Sequence, residues 1–179
     1  GGKITCTSGT VTILGEIRAP AQRCFVASGG TFDISSATAE QFYFEWYGIT
    51  SGGDNTTSIQ WLIDQRKGTW PNDYSSVIQL VAGTTYSFAS PISFNNAQGM
   101  ELRGSGTPLV NNSIMQYTGT GGTTAITFKS VYGFTCTGVT FTYTAVGFTG
   151  YLIQSGATGG GGSGLYTNMV SFERCTFTG

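Results

Sequence analysis

The sequence has no histidine and very little charge. Only 9% of its 179 residues are Asp, Glu, Lys or Arg, against about 25% in an ordinary globular domain. Without histidine, the commonest general base is missing. The four cysteines, Cys6, Cys24, Cys136 and Cys175, form no CxxC pair, so no zinc site is expected and no other metal or cofactor is implied. They read as buried unpaired thiols. Cys6–Cys24 or Cys136–Cys175 disulfides are the alternative, and would imply an oxidising compartment. The net charge is −1 and there is no basic run, which argues against a nucleic-acid partner, because phosphate binding needs clustered Lys or Arg. No apolar run approaches about 20 residues, so no membrane span is expected. No signal-peptide pattern stands at Gly1, and a start without Met reads as a trimmed or excerpted chain.

What is present is glycine, hydroxyls and aromatics. The chain has 28 Gly, 12 Phe, 9 Tyr and 3 Trp, with 39% hydrophobic residues. The apolar residues alternate with period two, so this is a folded β chain rather than a low-complexity one. One domain is the default for this length, with a small leading piece. Residues 3–17 alternate around a Ser-Gly break and read as a hairpin; residues 23–34 give two more short strands around Gly29-Gly30. Residues 1–39 are thus expected to form a leading β cap, and residues 40–179 the main body.

One helix is expected, near 57–67. Ile59, Leu62 and Ile63 share a face, and Thr57 with Gln60 has capping-box spacing. Arg66 and Lys67 fall in the last turn, Gly68 follows as a stop, and Pro71 lies beyond. A lone short helix between β segments is expected to be a lid on the end of a β stack.

The second half repeats. VYGFTCTGVTFT (131–142) aligns with TNMVSFERCTFT (167–178) at an offset of 36 residues, and AQGMELRGSG (97–106) precedes it at an offset of 34. Between the copies lie short apolar segments, SIMQY, AITFK and GYLIQ. No pair is closed by Asn-Gly or Asp-Gly, the usual hairpin turns. Parallel stacking of equivalent strands fits better: an all-β parallel β-helix, or β-solenoid, with a short capping helix and coils ~4.8 Å apart.

EWYGITSGGDNTTSIQWLID (45–64) resembles the opening motif of pectate-lyase-like right-handed parallel β-helices, especially those of bacteriophage tail spikes and tail fibres, of form EWFGA-x-GDG-x-x-DDT-x-x-IQ-x-x-ID. Glu45, Trp46, Gly48, Gly53, Asp54, Thr57, Ile59, Gln60, Ile63 and Asp64 match it. VIQLVAGTTYSFASPISFNNAQGMELRGSG is similar to the family's next signature. The chain departs where Asn55-Thr56-Thr57 replaces an acidic pair, and where Val81 replaces a proline. The resemblance implies a trimeric virion-tail or extracellular protein that meets bacterial surface polysaccharide and other virion proteins. In that family, sugar clefts and catalytic carboxylates usually lie on later coils or between subunits.

Enzymatic chemistry is weakly signalled, and the balance leans away from an enzyme. Glycoside hydrolysis needs two carboxylates about 5–9.5 Å apart. The repeat places Arg103, Thr137 and Glu173 at equivalent outward positions, and Glu101, Arg103 and Glu173 are the only weak catalytic candidates. Asp54 with Asn55, and Asp73 with Asn72, are better explained as turns than as calcium ligands. For glycan binding the candidates are aromatic: Tyr43, Trp46, Tyr47, Trp61 and Trp70. The competing expectation for the cluster from Phe42 to Tyr47 is that it packs the helix onto the first coil. Three functions stand at this point: a polysaccharide-recognition and attachment module, a purely structural virion or extracellular subunit, and a segment of a polysaccharide depolymerase.

Overall fold

The computed structural model describes residues 2–49, 52–67, 76–105, 112–155 and 168–179. The leading segment carries four short strands: β1 (Ile4–Cys6), β2 (Thr10–Thr12), β3 (Phe25–Ala27) and β4 (Thr31–Asp33). The hairpin expected over residues 3–17 does not form. Instead β1 pairs with β3 and β2 with β4, both parallel, with Ile4 opposite Phe25 and Thr10 opposite Thr31. A Ser-Gly break suits a corner as well as a hairpin. Here Gly9 takes a left-handed φ of 68°, and the chain turns away from β1 rather than back along it.

A one-turn 3-10 helix (Phe44–Trp46) and the helix α1 (Thr56–Arg66) follow. The helix begins one residue earlier than expected, and the Thr57–Gln60 capping box is absent. Asn55 at the N-cap makes no side-chain capping bond. Asp54 does that work from outside, its Oδ1 accepting from both the backbone N–H and the hydroxyl of Thr56, as an Asx turn does. Gln60 is engaged elsewhere.

The remaining strands are β5 (Ser76–Gln79), β6 (Thr85–Phe88), β7 (Ile92–Ser93), β8 (Met100–Arg103), β9 (Ser113–Tyr117), β10 (Ile126–Phe128), β11 (Tyr132–Thr137), β12 (Val139–Tyr143), β13 (Ile153–Ser155), β14 (Asn168–Glu173) and β15 (Thr176–Thr178). They are dealt in turn into three sheets, ordered β5-β8-β11-β14, β6-β9-β12-β15 and β7-β10-β13. Every pairing among the described strands is parallel. The internal repeat is the register of this stack. Cys136 lies opposite Leu102 and opposite Phe172, and Phe141 opposite Phe177.

In β5, β8, β9, β10 and β11 alternate residues face the interior. Equivalent side chains then stack layer on layer. Phe94 lies on Phe128 with ring centroids 5.0 Å apart and planes 9° apart, and Phe141 on Phe177 at 5.4 Å and 10°. Those separations are near the ~4.8 Å between hydrogen-bonded strands, so the backbone ladder sets the ring spacing. One hydrophobic cluster runs from Cys6 and Phe25 through Phe42, Trp46 and Ile63 to Phe141. Corners are tight: a Cβ on Gly104 would lie 2.0 Å from the carbonyl oxygen of Gly138, so only glycine fits there.

Phe42, Asp54, Asn55 and Gln60 cover the first edge of all three sheets. At β5, Phe42 donates to Val77 O and accepts from Gln79 N–H. At β6, Asn55 donates its backbone N–H to Ser87 O, and its side-chain amide does the same. Just beyond, Ala89 N–H donates to Asp54 Oδ1. At β7, Gln60 Oε1 accepts from Ser93 N–H at 2.8 Å and Gln60 Nε2 donates to Ser93 O at 3.0 Å. An uncovered edge is a template for pairing with another chain; here backbone groups of Phe42 and Asn55 and side chains of Asp54, Asn55 and Gln60 stand in for a strand.

Arg66 ties the helix end to the leading segment. It is 5% exposed. Its Nη1 donates to the carbonyls of Ile34, Ser35 and Ala37, its Nε and Nη2 to Ser76 Oγ, and its guanidinium lies 4.0 Å over the Phe42 ring. A planar fork of five donors suits a cluster of carbonyls in a way lysine cannot.

Candidate functional site

The strip 41–49 borders three shallow clefts. The alternation that buries Phe42, Phe44 and Trp46 turns Tyr43, Glu45 and Tyr47 toward them. The first cleft, about 420 Å³, lies between the leading segment and the strip, and is lined by Glu16, Arg18, Glu40, Gln41 and Tyr43. The Tyr43 hydroxyl donates to Gln41 Oε1 at 2.8 Å. Glu16 is paired with Arg18 at 2.9 Å, both side chains well exposed. The second, about 350 Å³, is lined by Gln22, Arg23, Glu45, Tyr47 and Ser58. The third, about 460 Å³, shares Glu45 and Ile49 and adds Val81, Gly83 and Thr84.

Glu45 is the chemically distinctive group. Tyr86 donates its hydroxyl to Glu45 Oε1 at 2.6 Å and accepts from the Val81 N–H at 2.8 Å. Glu45 Oε2 is buried and meets no hydrogen-bond partner among the described residues. Burial raises the carboxyl above the usual glutamate range, partly opposed by the Tyr86 bond. Tyr86 is raised in turn, first by its own burial and then by the Glu45 charge. The pair can hold a proton further up the pH scale than an exposed glutamate does.

The aromatic candidates separate by place. Trp46 is 1% exposed and donates its indole N–H to Pro20 O, so it packs the core and offers no open ring face. Tyr47 and Trp61 stack on each other at 4.4 Å, 16° from coplanar, which occupies one face of each. Tyr43 is half-buried, tilted against Trp46 at 5.8 Å. Trp70, Asn72 and Asp73 lie outside the described residues, as do Gly68 and Pro71. Arg103 does sit in register with Thr137, and Thr137 with Glu173. But Arg103 is gripped by Glu101 on its own strand, Nη2 to Oε2 at 2.7 Å and Nε to Oε1 at 2.8 Å. Glu101 and Arg103 thus satisfy each other, and Glu173 lies two strands away.

Sequence reasoning passed over Glu45, Glu16 and Glu40 as site residues. The signal for Glu45 was its place between inward aromatics; its partner Tyr86 is 41 residues distant, beyond local pattern. Among the described residues no three or more Cys, Asp or Glu side chains gather as a metal site, and no helix is long and apolar enough to cross a membrane. Searches against protein-family models, curated proteins and solved structures match nothing to this chain.

Proposed function

We propose that this chain forms the opening coils of a right-handed parallel β-helix, and serves as a tail-fibre- or tailspike-like module that recognises bacterial surface polysaccharide, as a homotrimer on a virion tail. The parallel sheets, in-register aromatic stacking and covered first edge support the coiled reading. The observation that carries the binding reading is the set of open clefts along 41–49. Each of the first two pairs one tyrosine with amide, carboxylate and guanidinium groups, the combination that meets a sugar's apolar face and its hydroxyls together. The low-charge, hydroxyl-rich composition fits a polar ligand of low charge.

The test is binding of the full chain to host-envelope polysaccharides, by glycan array and titration calorimetry. Tyr43→Ala and Tyr47→Ala should each weaken binding about tenfold or more, the loss of roughly 1.4 kcal/mol or more. No binding to any envelope preparation, or unchanged binding in both variants, would overturn it. Strictly monomeric sedimentation would remove the trimer.

Two observations favour other readings. Val146 is 96% exposed and Tyr151 67% exposed, which supports a structural subunit that docks on a neighbour. Glu16 and Glu40 share the first cleft, which supports a depolymerase. That reading predicts new reducing ends from capsule incubated with the chain, abolished by Glu40→Gln.

A further inference from the structure

We infer that Cys136 and Cys175 are a dithiol pair that closes into a disulfide on exposure to a small disulfide oxidant, stapling one layer of the stack to the next. Cys136 ends the inward row of β11, and Cys175 lies in the corner before β15, 39 positions further along the sequence. Their Sγ atoms are 3.6 Å apart, and both thiols are free. Reaching the ~2.05 Å of a disulfide needs about 1.5 Å of approach, within reach of side-chain rotation.

The two thiols are placed for different parts in the exchange. Cys136 is fully buried, and burial pushes it far up. Cys175 is half-buried and held down at about 7, first by the Cys136 thiol and then by nearby backbone groups, against its own partial burial. When protonated, the Cys175 thiol points to Cys136 Sγ, Cys136 O or Glu173 O. When ionised it takes a bond from Cys136 instead. Cys175 is therefore the accessible attacking thiolate and Cys136 the resolving thiol.

Oxidised glutathione closes the pair in two exchanges. The Cys175 thiolate attacks one glutathione sulfur, expels one glutathione thiolate and leaves a mixed disulfide. Cys136 attacks Cys175 Sγ and its proton passes to the departing second glutathione thiolate. Two electrons pass from the protein thiols to the oxidant, and two glutathione thiols are released. The other two cysteines lack this geometry. Cys6 directs its thiol to the carbonyls of Ser8 and Gly9, and Cys24 is raised to about 11 by burial.

The test incubates the full chain with excess oxidised glutathione, then counts thiols, measures intact mass and maps peptides. The expected result is a fall from four free thiols to two, a loss of about 2 Da as two hydrogens leave, and one linked peptide joining Cys136 to Cys175. The oxidised form should unfold about 5–10 °C higher than the reduced one, since a loop of this length is closed. Four free thiols after prolonged oxidation, a stable glutathione adduct on Cys175, or a link through Cys6 or Cys24 would each overturn the inference. The double variant Cys6→Ser/Cys24→Ser keeps only the pair and must still lose both thiols. Cys175→Ser must retain a free Cys136.

Discussion

Glu45 and Arg66 both rest on partners that no local pattern reveals. Burial raises Glu45, so its folded pKa exceeds its unfolded one. Its stabilising contribution is whole below the ordinary glutamate range near 4.3, and is lost as pH rises through the folded value. Asp54 has the opposite sign: its bonds to Thr56 lower it, so its contribution is present above the ordinary aspartate range and is lost as pH falls. Glu45→Gln keeps an acceptor for Tyr86 and removes the charge. Relative to the native chain, the variant should gain stability as pH rises from the ordinary glutamate range through the raised Glu45 value and then level off, measured as urea midpoints across pH. A constant difference at all pH values would show that Glu45 is not raised. Arg66→Ala strips the donors from three carbonyls and Ser76 Oγ, and should cost about 3–5 kcal/mol in urea unfolding. Arg66→Lys should recover only part of that.

At the scale of elements, the helix owes its place more to what it covers than to its own amphipathicity. Ile59, Leu62 and Ile63 are fully buried, and the sequence pattern foretold that face. It did not foretell Gln60. Capping-box spacing from Thr57 is a local fact, whereas the edge of β7 offers Gln60 two backbone partners at once, Ser93 N–H and Ser93 C=O. Two bonds to an otherwise open strand outweigh one bond to a helix terminus that Asp54 already serves. Gln60→Ala should cost about 1–3 kcal/mol, and hydrogen exchange at the Ser93 amide should speed up while amides in β11 stay protected. If Ser93 remains as protected as before, the helix is not the edge cover. The leading strands teach a related lesson. Three-residue strands around a Ser-Gly break look the same whether they fold back or turn a corner. Alternation tells which residues face inward, and the partner 21 residues away decides the pairing.

At the scale of the whole molecule, the repeat was the most legible feature, because parallel register forces like residues onto like. The offset between 131 and 167 and that between 97 and 131 reappear as hydrogen-bonded neighbours. The clefts were far less legible. They form where the leading segment, the 41–49 strip and the first strands meet, so their linings combine residues from distant parts of the chain. Tyr43 and Tyr47 are legible in the sequence as aromatics; Trp46, equally legible, fills the core because it falls on the inward beat of the same alternation.

The stack exists only if neighbouring strands run the same way in the observed register. Cross-strand amide contacts in a labelled sample, read by nuclear Overhauser spectroscopy, test this directly. Thr135 should show contacts to the strand around Glu101 on one side and to the strand around Ser171 on the other. Contacts of antiparallel pattern, β11 against β12 or β1 against β2, would contradict the account.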